Sequence, residues 1–470
     1  MIQRPTFISK FFIAFLSVLF CTLTSCIEDG VTSSPSDRLY FSTDTLEMGT
    51  LITEDVSTTH RFTVRNPHSK GIIISNISLS GENADYFRLN VDGFSGREFN
   101  DVEIRANDSI YVLVSCTLPA NNSDLPIKLL ANIDFKSNGN TSSVVVSATG
   151  RDVVRLHALT VDTDTRFSPN RPYQVFDSLV VAEGATLTLP AGTQILFHDK
   201  ARMVVRGSLR AEGSVEDPVE LRGDRTGNVI TDITFDLMSR QWDGLAFSST
   251  SYDNLLSHTI VRNTVYPTTV DHTDLTIINS RLRNSGSTVL DVSGGSVTAV
   301  GSEFAEAADG VVYLDGGQHT FNQCTFANYY LFSAIGGPAI GLNHINELTD
   351  NGSGEPYASI EISNSIIYGL GSDISHGTLD GTSVYLKNCL LKSNGSDDYN
   401  FINCIWGADP LYYTVRNDYI FDYRVKPESP AIGAADGSLN VHPAAAVDAY
   451  GVPRNTPPDL GAYTFTQPEE

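Results

Sequence analysis

Carboxylates and aromatic rings are the side chains of this sequence that could do chemistry, and they gather in its second half. Asp309 and Asp315 flank the run "GVVYL", with Glu303 and Glu306 a few residues before them. Asp271, His272 and Asp274 stand together, and Tyr329, Tyr330 and Phe332 lead into a glycine-rich stretch. Two carboxylates at a fixed separation are what a glycoside hydrolase needs. A base beside a carboxylate, with Ca2+ held by several Asp, is what a polysaccharide lyase needs. Aromatic rings stack on the faces of sugars. Neither catalytic set is complete: Asp397 and Asp398 stand alone in "SDDY", and Asp271, His272 and Asp274 read more simply as solvated turn residues. Tyr329, Tyr330, Asp309 and Asp315 are therefore the candidate binding residues, with no catalytic set, no metal ligands and no cofactor expected. Ca2+ enters only under the enzyme alternative.

The chain has 470 residues and a formal charge of −24. Arg4 and Lys10 are the only charged residues among the first 25, so the remainder is two units more negative, at −26. Such a surface excludes nucleic acid, whose binding draws on Lys and Arg at the phosphates. It also disfavours polyanionic glycans unless a cation bridges. Arg4 and Lys10 precede "FFIAFLSVLF", an apolar run too short to span a bilayer comfortably, and "LTSC" follows with small residues before Cys26. This start resembles a bacterial lipoprotein signal, which implies cleavage before Cys26 and lipidation of its thiol. The "IEDG" after Cys26 resembles the surface-export signal of Bacteroidota-type lipoproteins. The resemblance implies an outer-membrane lipoprotein, exposed at the cell surface and held to the membrane through its N-terminal lipid; a monomer is expected.

The fold class expected is all-β: an immunoglobulin-like β-sandwich followed by a right-handed parallel β-helix. After the leader (1–25) and a breaker-rich tether (26–38), short apolar alternations such as "HRFTV", "GIIISNISLSG" and "SIYVLVSCTL" recur between turn residues over 39–152. This stretch resembles the immunoglobulin-like spacer modules of the choice-of-anchor D and HYDIN-like kind. Residues 153–425 lack helical periodicity, so their strands must be joined by turns. The stretch "LVVAEGATLTLPAGTQILFHDKARMVVRGSLRAEG" and the later "WDGLAF" resemble entry coils of right-handed parallel β-helices of the pectate-lyase-like superfamily.

The repeat is clearest in "IINSRL", "AVGSEF", "FNQCTF", "ISNSII" and "LKNCLL". Inward positions run 275, 277, 280, 282, so the period-two alternation slips by one residue at Asn279. A slip marks a corner, and a corner favours residues that tolerate a left-handed backbone. His258, Asn279, Gly301, Gln323, Asn364, Asn388 and Asn403 occupy it, and the next residue is always small: Thr259, Ser280, Ser302, Cys324, Ser365, Cys389, Cys404. Their spacings of 21, 22, 22, 41, 24 and 15 fit one coil per repeat, the 41 being a coil with a long insertion or two coils. Asn263, Asn284 and Asn328 lie four residues after the small position, as a side-chain amide ladder would.

Stacked coils place the small residues in one buried column, where three cysteines act as small apolar side chains. The alternative, a disulfide between Cys389 and Cys404, requires geometry that parallel neighbours rarely reach. The segment 331–357 reads as a loop excursion. The motifs "ESPAIGAAD" and "DAYGVPRNTPPDLGAYTF" resemble the terminal segment of choice-of-anchor Q type β-helix proteins, implying that 426–470 caps the open end. A polygalacturonase-like set is absent: "SHG" lacks its first Gly and no R-I-K follows. The functional expectation is a binding or adhesion surface for glycan or another surface component. The alternative is a carbohydrate-active enzyme, a lyase before a hydrolase.

Overall fold

A computed structural model describes residues 30–230, 233–345 and 358–467. The leader and Cys26 lie outside these residues, as do Glu28, Asp29 and part of the 331–357 segment. The protein is all-β and divides into two units, Met1–Asn121 with Pro126–Gly150, and Asn122–Leu125 with Arg151–Glu470.

The first unit holds two five-stranded sheets with antiparallel neighbours. Alternation directs the packing: Ser109–Cys116 buries Ile110, Val112, Val114 and Cys116, while its other positions stay at least partly exposed. These residues join Phe62, Phe87, Ile133 and Phe135 from both sheets in one apolar core. Burial pushes the Cys116 thiol up to about 11, which makes it a packing residue and not a nucleophile.

The second unit is built from long parallel sheets, consistent with a β-helix. A representative coil runs Asp274–Ile278, Arg281–Ser285 and Leu290–Ser293, and each strand pairs in parallel with its counterpart in the next coil. The three strands define three faces. On the first, Ile277, Ala299, Phe321, Ile362 and Leu386 stack inward in register. Phe321 pairs directly with Ile362, so the 41-residue spacing is one coil with an insertion. Part of the expected 331–357 excursion is itself strand: Ile340–Asn343 pairs with Val312–Asp315 on the third face, because Ile340 and Leu342 supply the inward alternation.

The corners are left-handed as their residue types require, with φ of 43° at His258, 44° at Asn279, 61° at Gly301, 56° at Gln323, 50° at Asn364, 51° at Asn388 and 53° at Asn403. Beyond each corner the column does more than save space. The Ser280 hydroxyl accepts from the Thr259 amide at 2.9 Å and donates to the Ile278 carbonyl at 2.7 Å. Ser302 does the same for Ser280 and Val300, and Ser365 for Cys324 and Ser363. Cys324 donates to the Asn322 carbonyl at 3.4 Å and accepts from the Ser302 amide. Each side chain thus satisfies an amide that the slip in alternation would otherwise strand inside the core. Small size alone does not explain the column; a donor and acceptor are also needed.

The C-terminal segment lies along the flank of the coils. Tyr412, Tyr423, Val425, Ala431, Leu460, Ala462 and Tyr463 pack on the outward side chains Ala305, Ala327, Ile366 and Leu390 of the second face. Ala462 accepts no role at the last coil: its amide donates to Thr325 at 2.9 Å, and the Gly461 amide donates to the Asn364 carbonyl at 2.8 Å. Near the last coil, Phe401 and Trp406 pack with ring centroids 5.0 Å apart. The end-capping expected for 426–470 is therefore side-on, because outward alanines leave a flat apolar strip that the tail can bury.

Candidate functional site

The outward residues of the second face fall in register as Arg222, Arg262, Arg283, Ala305 and Ala327. Guanidinium groups stacked one coil apart repel, so each needs a counter-charge. Asp236 takes two, at 2.6 Å from Arg222 and 3.0 Å from Arg262, and Glu220 adds a 3.4 Å contact to Arg262. Burial, then the neighbouring Arg222, pull the Arg262 pKa down. Asp236 sits on the irregular segment after Asp224, which the asparagine ladder clamps: Asn263 and Asn284 donate to the Asp236 carbonyl at 2.9 and 2.7 Å.

Held this way, the segment forms one wall of a cavity of about 410 Å3, with Phe235, Met238, Ser239, Arg240 and Gln241 facing Tyr330, Phe332 and Ser333, and Asp199 and Arg225 completing the lining. The Ser239 and Tyr330 hydroxyls are hydrogen-bonded at 2.6 Å, which joins the two walls. Arg240 is fixed by its 2.7 Å bond to the Gly286 carbonyl. Arg225 lies over the Phe235 ring, 5.7 Å from its centroid. Gln241 donates to the Phe235 and Met238 carbonyls at 2.5 and 2.9 Å, while its buried carbonyl oxygen has no partner among the described residues. Three aromatic rings, two guanidiniums, a carboxylate and hydroxyls around a cavity of this size suit a small polar ligand with an apolar face.

Further along the face the tail covers a buried polar cluster. Arg283 pairs with Glu303, whose other oxygen accepts from the Tyr463 hydroxyl at 2.5 Å. Burial works against the Arg283 charge, but Glu303 together with Tyr463, Tyr423 and Tyr450 outweighs it and the guanidinium pKa is raised. Glu306 takes the column position held elsewhere by Asn263, Asn284 and Asn328. It accepts from the Tyr423 hydroxyl and the Tyr329 amide, and burial pushes it up to about 7. Glu303 is held between Arg283 and the tail's Tyr463, and Glu306 accepts from the tail's Tyr423, so the cluster is an internal brace.

Of the four candidate binding residues, the cavity takes Tyr330 alone. Tyr329 is half-buried against the tail, its ring 6.1 Å from Tyr423 and 6.4 Å from Tyr412. Asp309 is exposed and accepts from Ser287 at 3.1 Å. Asp315 pairs with His344 on the third face, where it and, first, burial raise the pKa of Asp291. His272 is paired with Asp271 at 2.7 Å, both exposed. Among the described residues no group of three His, Cys, Asp or Glu side chains is placed to hold a metal ion. A second depression, of about 510 Å3, is lined by Gln194, Glu216, Asp217 and Glu220 without an aromatic ring. Reading the sequence missed Arg225, Phe235, Arg240 and Gln241, because they flank no repeat; the run of Arg, Phe and Met in an interrupted coil was the available signal.

No family model and no curated protein matches the chain. Among solved structures it resembles a family 123 glycoside hydrolase from Clostridium perfringens, at TM-score 0.18 and 10% identity over 24% of this chain, and spans 25% of that enzyme's length. An ASH / PapD-like domain of human CEP192 matches at TM-score 0.18 and 8% identity, over 27% of this chain and 94% of the domain. A Porphyromonas gingivalis W83 protein of unknown function matches at TM-score 0.16 and 15% identity, over 27% of this chain and 60% of that one.

Proposed function

We propose that the chain is a lipid-anchored surface protein of a Bacteroidota-type envelope, in which an immunoglobulin-like sandwich serves as spacer and a right-handed parallel β-helix binds glycan without cleaving it. The single observation that carries the binding part is the flank cavity, which gathers Phe332, Tyr330, Arg225, Arg240 and Asp199 from segments distant in sequence. Sugars are recognised by such pairs of ring face and fixed polar heads. The anchoring part rests on Arg4, Lys10, the apolar run and Cys26, with Glu28 and Asp29 as the export signal.

The test of binding is retention of the protein on a panel of immobilised polysaccharides, with soluble products assayed with and without Ca2+. Retention without product release is expected. Unsaturated oligosaccharides in the supernatant would replace this reading with a lyase. The anchor is tested by Cys26→Ser, which should leave the protein unprocessed and outside the membrane fraction; a variant that still fractionates with membranes at wild-type size refutes lipidation.

A further inference from the structure

The small-residue column ends in two thiols. Leu390 pairs with Ile405 and the Ile405 amide donates to the Cys389 carbonyl at 2.8 Å, so Cys389 and Cys404 are in-register neighbours on the last two coils. Their Cα atoms lie one strand spacing apart, about 4.8 Å, inside the roughly 4.4–6.8 Å that a disulfide bridges. Cys324 has no such option, since its column neighbours are Ser302 and Ser365.

We propose that Cys389 and Cys404 are a thiol-oxidation site that takes a small disulfide or a disulfide-bearing oxidase as co-reactant and closes to an intrachain disulfide. The two thiols are unequal. Cys389 is fully buried, whereas Cys404 is half-buried on the last coil. The Cys389 thiol donates to Cys404, which lowers the Cys404 pKa, and the Cys389 amide lowers it further while burial and Asp397 oppose. Burial, then the hydrogen bond to Cys404, drive Cys389 the other way. Since the thiolate is the nucleophile, Cys404 attacks first.

The steps balance. Cys404, as thiolate, attacks one sulfur of the reagent; a mixed disulfide forms and one reagent thiolate leaves. Cys389 gives its proton to that thiolate, attacks the Cys404 sulfur and expels the second reagent thiolate, which takes the proton first lost by Cys404. Two protein thiols are oxidised and one reagent disulfide is reduced to two thiols.

The experiment incubates the reduced full-length protein with oxidised glutathione and maps tryptic peptides without reduction. The expected result is a crosslink between the Cys389 and Cys404 peptides that dithiothreitol reverses, with Cys116 and Cys324 unmodified. Cys389→Ser should convert the product to a stable glutathione adduct on Cys404, and Cys404→Ser should leave Cys389 unreacted. Serine keeps the column's hydrogen bonds, so both variants are expected to fold. A wild-type protein that stays fully reduced, or that stops at a glutathione adduct without a crosslink, overturns the proposal whatever the variants do.

Discussion

Ser302 and Glu303 are neighbours in sequence, yet one belongs to the inner column and the other to the covered flank, and the two regions are built in opposite ways. Ser302 bonds to the coil before it, 22 residues away, and to its own strand. Glu303 bonds to Arg283, 20 residues away, and to Tyr463, 160 residues away. The column is a local rule repeated at each coil. The flank is a single event that happens only once the tail has docked. Repetition stabilises the solenoid in small equal parts, while the flank concentrates charge where one loss is felt whole.

The sharpest way to break this comparison is Arg283→Met. Glu303 is 1% exposed, and without its guanidinium it becomes an unpaired buried charge. Removing one partner of a buried pair typically costs about 3–5 kcal/mol. Denaturant unfolding should show a loss of that order, and adding Glu303→Gln should recover most of it. A loss below about 1 kcal/mol would mean that the flank is hydrated and the contrast false.

Acid and base should strain the two regions in opposite directions. His319 points into the solenoid, accepts from the Val297 amide and donates to the Gly316 carbonyl, and burial lowers its pKa from 6.5 to about 4. The unfolded chain takes up a proton that the folded one refuses, so stability present above pH 6.5 falls as pH drops toward 4, by up to about 3 kcal/mol. Glu306 is shifted from 4.5 up to about 7, so its folded form holds the proton more tightly. Its contribution is present below pH 4.5 and falls as pH rises toward 7. The two windows overlap, so the opposed slopes largely cancel and the wild-type melting temperature should change little between pH 4.5 and 6.5; His319→Asn should expose the loss toward neutral pH and Glu306→Gln the loss toward acid.

Smaller effects sharpen the column's side of the comparison. Cys324→Leu overpacks two adjacent coils, at about 1–3 kcal/mol. Cys324→Ala should also destabilise, because the Ser302 amide loses its acceptor, whereas Cys324→Ser should melt close to wild type. If alanine and serine behave alike, the column needs only small residues. Asn388→Val should cost about 1–2 kcal/mol at its φ of 51°, with Asn388→Gly tolerated.

What was legible follows from the same contrast. The corner asparagines and the small positions after them declared themselves because one steric problem recurs in each coil, and the same residue types solve it each time. The hydrogen-bonding duty of Ser280, Ser302 and Cys324 was partly visible in the choice of Ser, Thr and Cys over Ala. Tail docking was not legible: Tyr423 and Glu306 are 117 residues apart and no period links them. Two departures hinted at it, since Ala305 and Ala327 stand where Arg283 stands one coil earlier, and Glu306 stands in a column of asparagines. Tyr330 was found by its type, but its cavity depends on Arg225, Phe235 and Arg240, which the fold alone brings near.

The claim that this flank is the binding face is tested most directly by calorimetric titration of an oligosaccharide from the retained polysaccharide into wild type, an Arg225→Ala/Phe332→Ala variant and Asp315→Ala. The account predicts at least tenfold weaker binding for the double variant, equivalent to about 1.4 kcal/mol, with an unchanged melting temperature and with Asp315→Ala like wild type. Equal affinity for the double variant, or a loss confined to Asp315→Ala, would contradict it.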